Sequence, residues 1–264
     1  MPAERLLAFS ETELLRFLLI VCRISPLMIT APFWGSPVVP GQVRVYLALI
    51  TSLILLPVVR APLPPGLGDS LLSLALSVSM ELLIGFVFAY VAILMFAAVQ
   101  FAGQLADISM GFGVANVIDP LTSAQVTLIG QIQYMAALLV FLMLDGHHIL
   151  LRGLAETFVV APPGHPFNWG VPIMILVERG GRLMFLLAAQ VAAPVLTALF
   201  LANLAMGLVS RVLPQINIFL VGLPINVGLG ILVLAAGMTL FPAVMRGAIG
   251  DLNRQLGALV AALR

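Results

Sequence analysis

Between two long apolar runs lies the segment Gly103-Gln-Leu-Ala-Asp-Ile-Ser-Met-Gly-Phe-Gly-Val-Ala-Asn-Val-Ile-Asp-Pro120, built of glycines, small residues and isolated polar groups. It suits neither a clean helix nor a hydrated loop. Each unpaired backbone N–H or C=O in hydrocarbon costs several kcal/mol, so such backbone persists only inside protein or along a protein-lined cavity. The segment therefore predicts a pore or a buried seam.

The rest of the chain sets the medium. Of 264 residues, 62% are hydrophobic and 9% charged, and the mean hydropathy is +1.17. These values lie well beyond soluble domains and define an all-α polytopic integral membrane protein. No stretch combines length with high polarity, so residues 1–264 are expected to form a single folding unit of helices. A net charge of +1 suggests neither nucleic acid nor an acidic substrate. The single cysteine, Cys22, cannot make an internal disulfide and reads as a small core residue.

Ser10-Glu11-Thr12-Glu13 has the spacing of a helix start, and an apolar run carrying Arg16 and Arg23 follows to Ile29. Its acidic flank lacks the basic end and cleavage site of a secretory signal, so this helix is expected to be retained. The proline-rich stretch 32–41 is a turn, and a second helix is expected over about 42–56. From Ser70 to Leu105 the only charge is Glu81, which fits either one long tilted helix or a bent pair. Leu121–Leu144 gives another helix, interrupted by Gln125, Gln131 and Gln133. Pro194, Pro224 and Pro242 in the later apolar runs are expected kinks, marking helices built to pack against protein. In the tail, Ile249, Leu252, Leu256, Leu259 and Leu263 recur at helical spacing, with Asp251, Arg254 and Gln255 off the stripe; this predicts an amphipathic helix against an interface or partner. Arg246, Arg254 and Arg264 give that end a positive bias, as expected of a cytoplasmic tail.

Glu81 and Asp107 are the charges set deepest in apolar sequence, and an ionised carboxylate at mid-membrane costs about 2.5–3.5 kcal/mol. Each needs a partner or a water-filled cavity. They are either proton-linked or pore-lining groups, or members of buried ion pairs on helices lifted clear of lipid. Arg211, with Gln215 and Asn217 beside it, suggests a polar knot fixing the turn between two apolar helices. Asp145-Gly-His-His148 reads as a polar turn at a helix end rather than a metal centre, because adjacent histidines on a helix do not face one point and no recognised ligand spacing is present. No nucleophile elbow, phosphate loop or dinucleotide fingerprint appears, and neither an enzyme nor a cofactor is expected. A small-solute transporter would show matching interruptions in two halves, which this chain lacks.

Arg23-Ile-Ser-Pro-Leu-Met-Ile-Thr-Ala-Pro-Phe33, the Gly103–Pro120 segment, Leu144-Asp-Gly-His-His148 and the stretch Asn203–Pro224 together resemble the FliR family of flagellar biosynthetic proteins. Met206-Gly207, Arg211, Pro214-Gln215, Asn217, Phe219, Gly222 and Pro224 make the last motif the most specific. The family's virulence type III secretion counterpart shares much of the pattern. The resemblance implies a subunit of the flagellar type III export gate, in the bacterial inner membrane at the flagellar basal body. There it would join FliP-like and FliQ-like subunits, with an FlhB-like subunit at the entrance, and pass unfolded export substrates. It further implies long kinked helices and helical hairpins assembled into a spiral rather than an independent bundle. It also favours the ion-pair reading of Glu81 and Asp107.

Carried over by residue, the family's channel plug is Met110, Gly111, Phe112, Gly113, Val114, Ala115 and Asn116, ended by Asp119-Pro120. Phe and Met suit sealing and Gly suits hinging. The alternative is a tight helix crossing in which Gly111 and Gly113 allow close approach.

Overall fold

The computed structural model describes residues 11–36, 38–68, 70–112, 127–165, 170–213, 215 and 218–263, and the regular elements among them are helices. Of the residues singled out above, Ser10, Gly113, Val114, Ala115, Asn116, Asp119, Pro120, Gln125, Pro214, Asn217 and Arg264 lie outside that set.

Helix α1 (Glu11–Thr30) carries Glu11 and Glu13 in its first turn, where carboxylates meet the positive end of the helix dipole. Pro26 removes a donor from its interior, and the Ser25 hydroxyl donates instead to the carbonyl of Cys22 (3.3 Å). The turn to α2 (Gly41–Leu55) is held by Arg44, whose guanidinium donates to the carbonyls of Ser36 (2.6 Å) and Val39 (2.8 Å). Gly35 is required in that turn, since a Cβ would lie 2.6 Å from the Ile29 carbonyl oxygen.

Helix α3 (Leu71–Met110) is continuous over 40 residues, which decides for one long helix over a bent pair. Helices α4 (Leu128–Met143) and α5 (Gly146–Val160) meet at a 66° bend. Helix α6 (Gly170–Ile175) continues through a π-turn at Leu176–Gly180 into α7 (Gly181–Val212), and α8 (Ile218–Gly237) and α9 (Phe241–Ala262) follow. Pro194 and Pro224 fall inside α7 and α8 as expected. Pro242 does not kink a helix. The chain breaks at residues 238–240, and Pro242 takes the second position of α9, where its N–H would have no helical acceptor. Three described helical stretches are long and apolar enough to cross a membrane, or four if the bent α4–α5 pair counts as one span.

The chain divides into two compact units, Met1–Leu94 with Asp145–Gly181 and Asp251–Arg264, and Met95–Leu144 with Arg182–Gly250. In the first, the core closes around a buried ion pair. Arg23 of α1 donates from Nε and Nη2 to the two oxygens of Glu81 of α3 (2.5 and 3.0 Å), and from Nη1 to the Thr157 hydroxyl of α5 (3.1 Å). The Gly164 N–H donates to the same carboxylate (2.9 Å), and the guanidinium lies 4.4 Å from the centroid of the Phe158 ring. Gly85 brings α3 against the Arg23 backbone, where a Cβ would overlap the carbonyl.

The stripe on α9 is buried as its spacing predicts, but within this chain rather than on a partner. Leu256 packs at Gly153, and Leu259 and Leu263 face Ile84, Phe88 and Pro172. Gln255, expected off the buried face, is buried and donates to the Arg179 carbonyl in the π-turn (2.9 Å). In the second unit, Phe96 meets Phe141 and Tyr134 edge-on at 5.3 and 5.6 Å.

Removing one partner of the Arg23–Glu81 pair leaves a buried charge uncompensated. Arg23→Met and Glu81→Gln are each expected to destabilise by about 3–5 kcal/mol, while Arg23→Met/Glu81→Met together lose much less. Thermal unfolding in detergent measures this, and single variants as stable as the parent chain would contradict it.

Candidate gate segment and its anchors

Helix α3 ends where its sequence turns glycine-rich. Gly111 has φ +96°; its N–H donates to the Ile108 carbonyl (3.1 Å), and the Phe112 N–H donates back to the Asp107 carbonyl (3.0 Å). This pair of bonds satisfies the last carbonyls of a helix and requires a residue tolerant of positive φ. Phe112 then packs, half-buried, against a cluster that contains Ala106, Met110, Ile129, Val195 and Leu199. Met110 is fully buried and sits on Gly230 of α8, where a Cβ would overlap its side chain. Among the described part of the expected plug, Met110 is thus a core anchor, Gly111 the turn and Phe112 the first residue beyond it.

Asp107 is 4% exposed. Both of its carboxylate oxygens accept from the Ile129 N–H at 3.2 Å, and one reaches the Gly130 N–H at 3.5 Å. These donors belong to the first turn of α4, which has no helical acceptors for them, and Thr127 at the N-cap supplies no side-chain bond. Asp107 caps α4 from a neighbouring helix, at the end whose dipole favours negative charge. Its carbonyl secures the turn by which the chain leaves α3, and its carboxylate secures the start of α4. One residue therefore holds the backbone on both sides of residues 113–126.

The two helices can meet this closely because glycine stands on both. A Cβ on Gly103, one turn before Asp107, would lie 2.5 Å from the Gly130 nitrogen and closer still to its Cα. The close crossing expected of the segment's glycines is made by Gly103 with Gly130, while Gly111 serves the turn.

The remaining candidates lie elsewhere. Glu81 belongs to the first unit, paired with Arg23. Arg211, in the last turn of α7, and Gln215, in the connection to α8, are exposed, and their side chains make no hydrogen bond or ion pair with another described residue. Three features escaped the sequence reading. Arg23 is one of two arginines in the apolar run of α1, and its position deeper in that run is the signal that it needs a buried counter-charge such as Glu81. Asn226 of α8 donates to Asn203 of α7 (3.0 Å), and isolated Asn residues in apolar runs are the signal for such interhelical bonds. Gly130 could have been found as a second glycine near the start of an apolar helix.

The spacing argument against Asp145, His147 and His148 is corrected by the geometry. Asp145 takes φ +54° before α5, and donor atoms of the three side chains come within 4.8 Å of one another. The Asp145 and His148 side chains remain largely exposed, 3.1 Å apart, at a helix start whose dipole opposes a cation.

Apolar helices of membrane length, with no other regular element among the described residues, define an all-α polytopic membrane protein. By its sequence match the chain belongs to the bacterial export proteins, family 1, whose model covers residues 14–252. It is 36% identical over 249 residues to the flagellar biosynthetic protein FliR of Bacillus subtilis (strain 168), a match spanning 92% of this chain and 95% of that one. The FliR of Escherichia coli (strain K12) is 31% identical over 242 residues, 91% of each chain. The secretion system apparatus protein SsaT of Salmonella typhimurium is similar at 27% identity over 162 residues, 61% of each.

The Asp107 anchor makes a graded prediction. Loss of a helix cap costs about 0.5–2 kcal/mol, so Asp107→Ala is expected to destabilise by that amount and Asp107→Asn, which keeps one acceptor, by less. The melting temperature of the detergent-purified protein checks the order, and an alanine variant equal to the parent would contradict it.

Proposed function

We propose that this chain is a structural subunit of the flagellar type III protein export gate in the bacterial inner membrane. In this reading residues 1–264 act as one gate domain, assembled with FliP-like and FliQ-like subunits and with an FlhB-like subunit at the entrance. Within Met110–Asn116, Met110 anchors the segment, Gly111 turns it, and Phe112, Gly113, Val114, Ala115 and Asn116 plug the conduit for unfolded flagellar proteins, with Asp119 ending it. Arg211, Gln215 and Asn217 brace the turn between α7 and α8.

The observation that carries the reading is Asp107, which tethers the backbone on either side of a glycine-bearing segment in a chain of the export family. A plug must seal and still swing aside, and fixed ends with a glycine turn allow both. The virulence-system alternative rests on the SsaT similarity, which spans less of the chain at lower identity than the FliR proteins of Bacillus subtilis and Escherichia coli do.

Purification through a tag on this chain is expected to bring FliP-like and FliQ-like proteins out of the membrane with it. Phe112→Ala in the same background is expected to raise passive ion leakage with the complex still assembled. A monodisperse monomer, or a Phe112→Ala complex as tight as the parent, would contradict the proposal.

A further inference from the structure

In the first compact unit, the start of α5 gathers three side chains that carry metal-ligating atoms. Asp145 stands at the N-cap of α5 with φ +54° and makes no side-chain cap bond; its Oδ1 lies instead 3.1 Å from Nδ1 of the His148 ring. The rings of His147 and His148, neighbours in sequence, have centroids only 4.1 Å apart. One ligating atom from each of the three side chains falls within 4.8 Å of the others. Ligands held about 2.0–2.1 Å from one ion stand roughly 3–4 Å from each other, so small rotations of the exposed Asp145 and His148 side chains close the difference. His147 is the fixed member. Trp34, in the turn between α1 and α2, meets its ring edge-on at 6.5 Å. The His147 Nδ1 is closed to solvent and has no hydrogen-bond partner among the described residues, which leaves Nε2 as the nitrogen the ring can present.

We propose that Asp145, His147 and His148 form a binding site for a divalent first-row transition ion of the zinc class, with the remaining coordination positions open to solvent. The site goes beyond the gate reading and does not depend on it. An aspartate–histidine pair accounts for only two of the three groups. The second imidazole, brought beside them, gains a use when an ion binds all three. Two imidazoles and one carboxylate suit zinc and its neighbours and discriminate against magnesium and calcium, which prefer oxygen ligands. The dipole at the start of α5 disfavours a cation, by a factor of about two to five at an exposed helix end. Each ligand outweighs that, since even a group that only orients a ligand is worth about 10–100-fold in affinity.

The test titrates Co²⁺ into the full chain, purified in detergent through a histidine-free tag and stripped of metal with a chelator, and follows tryptophan emission. Trp169→Phe in this background leaves Trp34 as the only tryptophan, close enough to His147 for bound Co²⁺ to quench it. Quenching is expected to saturate at micromolar Co²⁺ with one ion per chain, to be reversed by Zn²⁺, which displaces the quencher, and to be unaffected by Mg²⁺. His148→Ala is expected to weaken Co²⁺ binding at least about tenfold. Asp145→Asn, which keeps a residue tolerant of positive φ, is expected to do the same, and His165→Ala to leave the affinity unchanged. Both ligand substitutions fall on largely exposed side chains, so neither removes packing from the core. Quenching that fails to saturate below millimolar Co²⁺, or an affinity unmoved by His148→Ala or by Asp145→Asn, overturns the site. Neither result bears on the gate reading, which stands or falls on co-purification.

Discussion

The hydrogen bonds between the Asp107 carboxylate and the first amides of α4 are what let the rest of this architecture exist. A chain in apolar surroundings can interrupt a helix only where something satisfies the backbone groups the interruption frees. Here a single buried side chain does so from across a close helix crossing. The pairing of Gly103 with Gly130 brings the two backbones near enough for a short carboxylate to reach, and the Gly111 turn closes the carbonyls left at the end of α3. Remove the glycines and Asp107 cannot reach; remove Asp107 and the close approach leaves amides unpaired.

The two deeply set carboxylates solve the same problem differently. Glu81 meets a full counter-charge, and Arg23 can supply it because its fork matches both oxygens and still leaves a donor for Thr157. Among the described residues, Asp107 is met by backbone amides at the positive end of a helix. An ion pair welds three helices into a core. Backbone amides hold the junction between the end of α3 and the start of α4.

Much of this organisation was legible in the residues. The apolar runs gave the helices within a residue or two at α1 and α2, but the break expected from Gly103 comes later: α3 runs on as regular helix through Met110, because one glycine at a close crossing does not stop a helix, and it ends at the positive φ of Gly111. The stripe from Ile249 to Leu263 announced its buried face through period alone. What stayed hidden was pairing over distance. Nothing local to Arg23 says that its partner stands 58 residues away, and nothing local to Asp107 names Ile129. Pro242 misled for a related reason, since a proline starts a helix as readily as it kinks one, and only the break before it distinguishes the two. Gln255 was placed off the apolar stripe, and its burial follows from a carbonyl in the π-turn that no periodicity foretells.

Amide hydrogen exchange in the assembled membrane complex tests the central claim most directly. With Asp107→Ala, the amides of Ile129 and Gly130 are expected to exchange markedly faster than in the parent chain, while those in the second half of α4 keep their protection. Unchanged protection at those two positions would contradict the account.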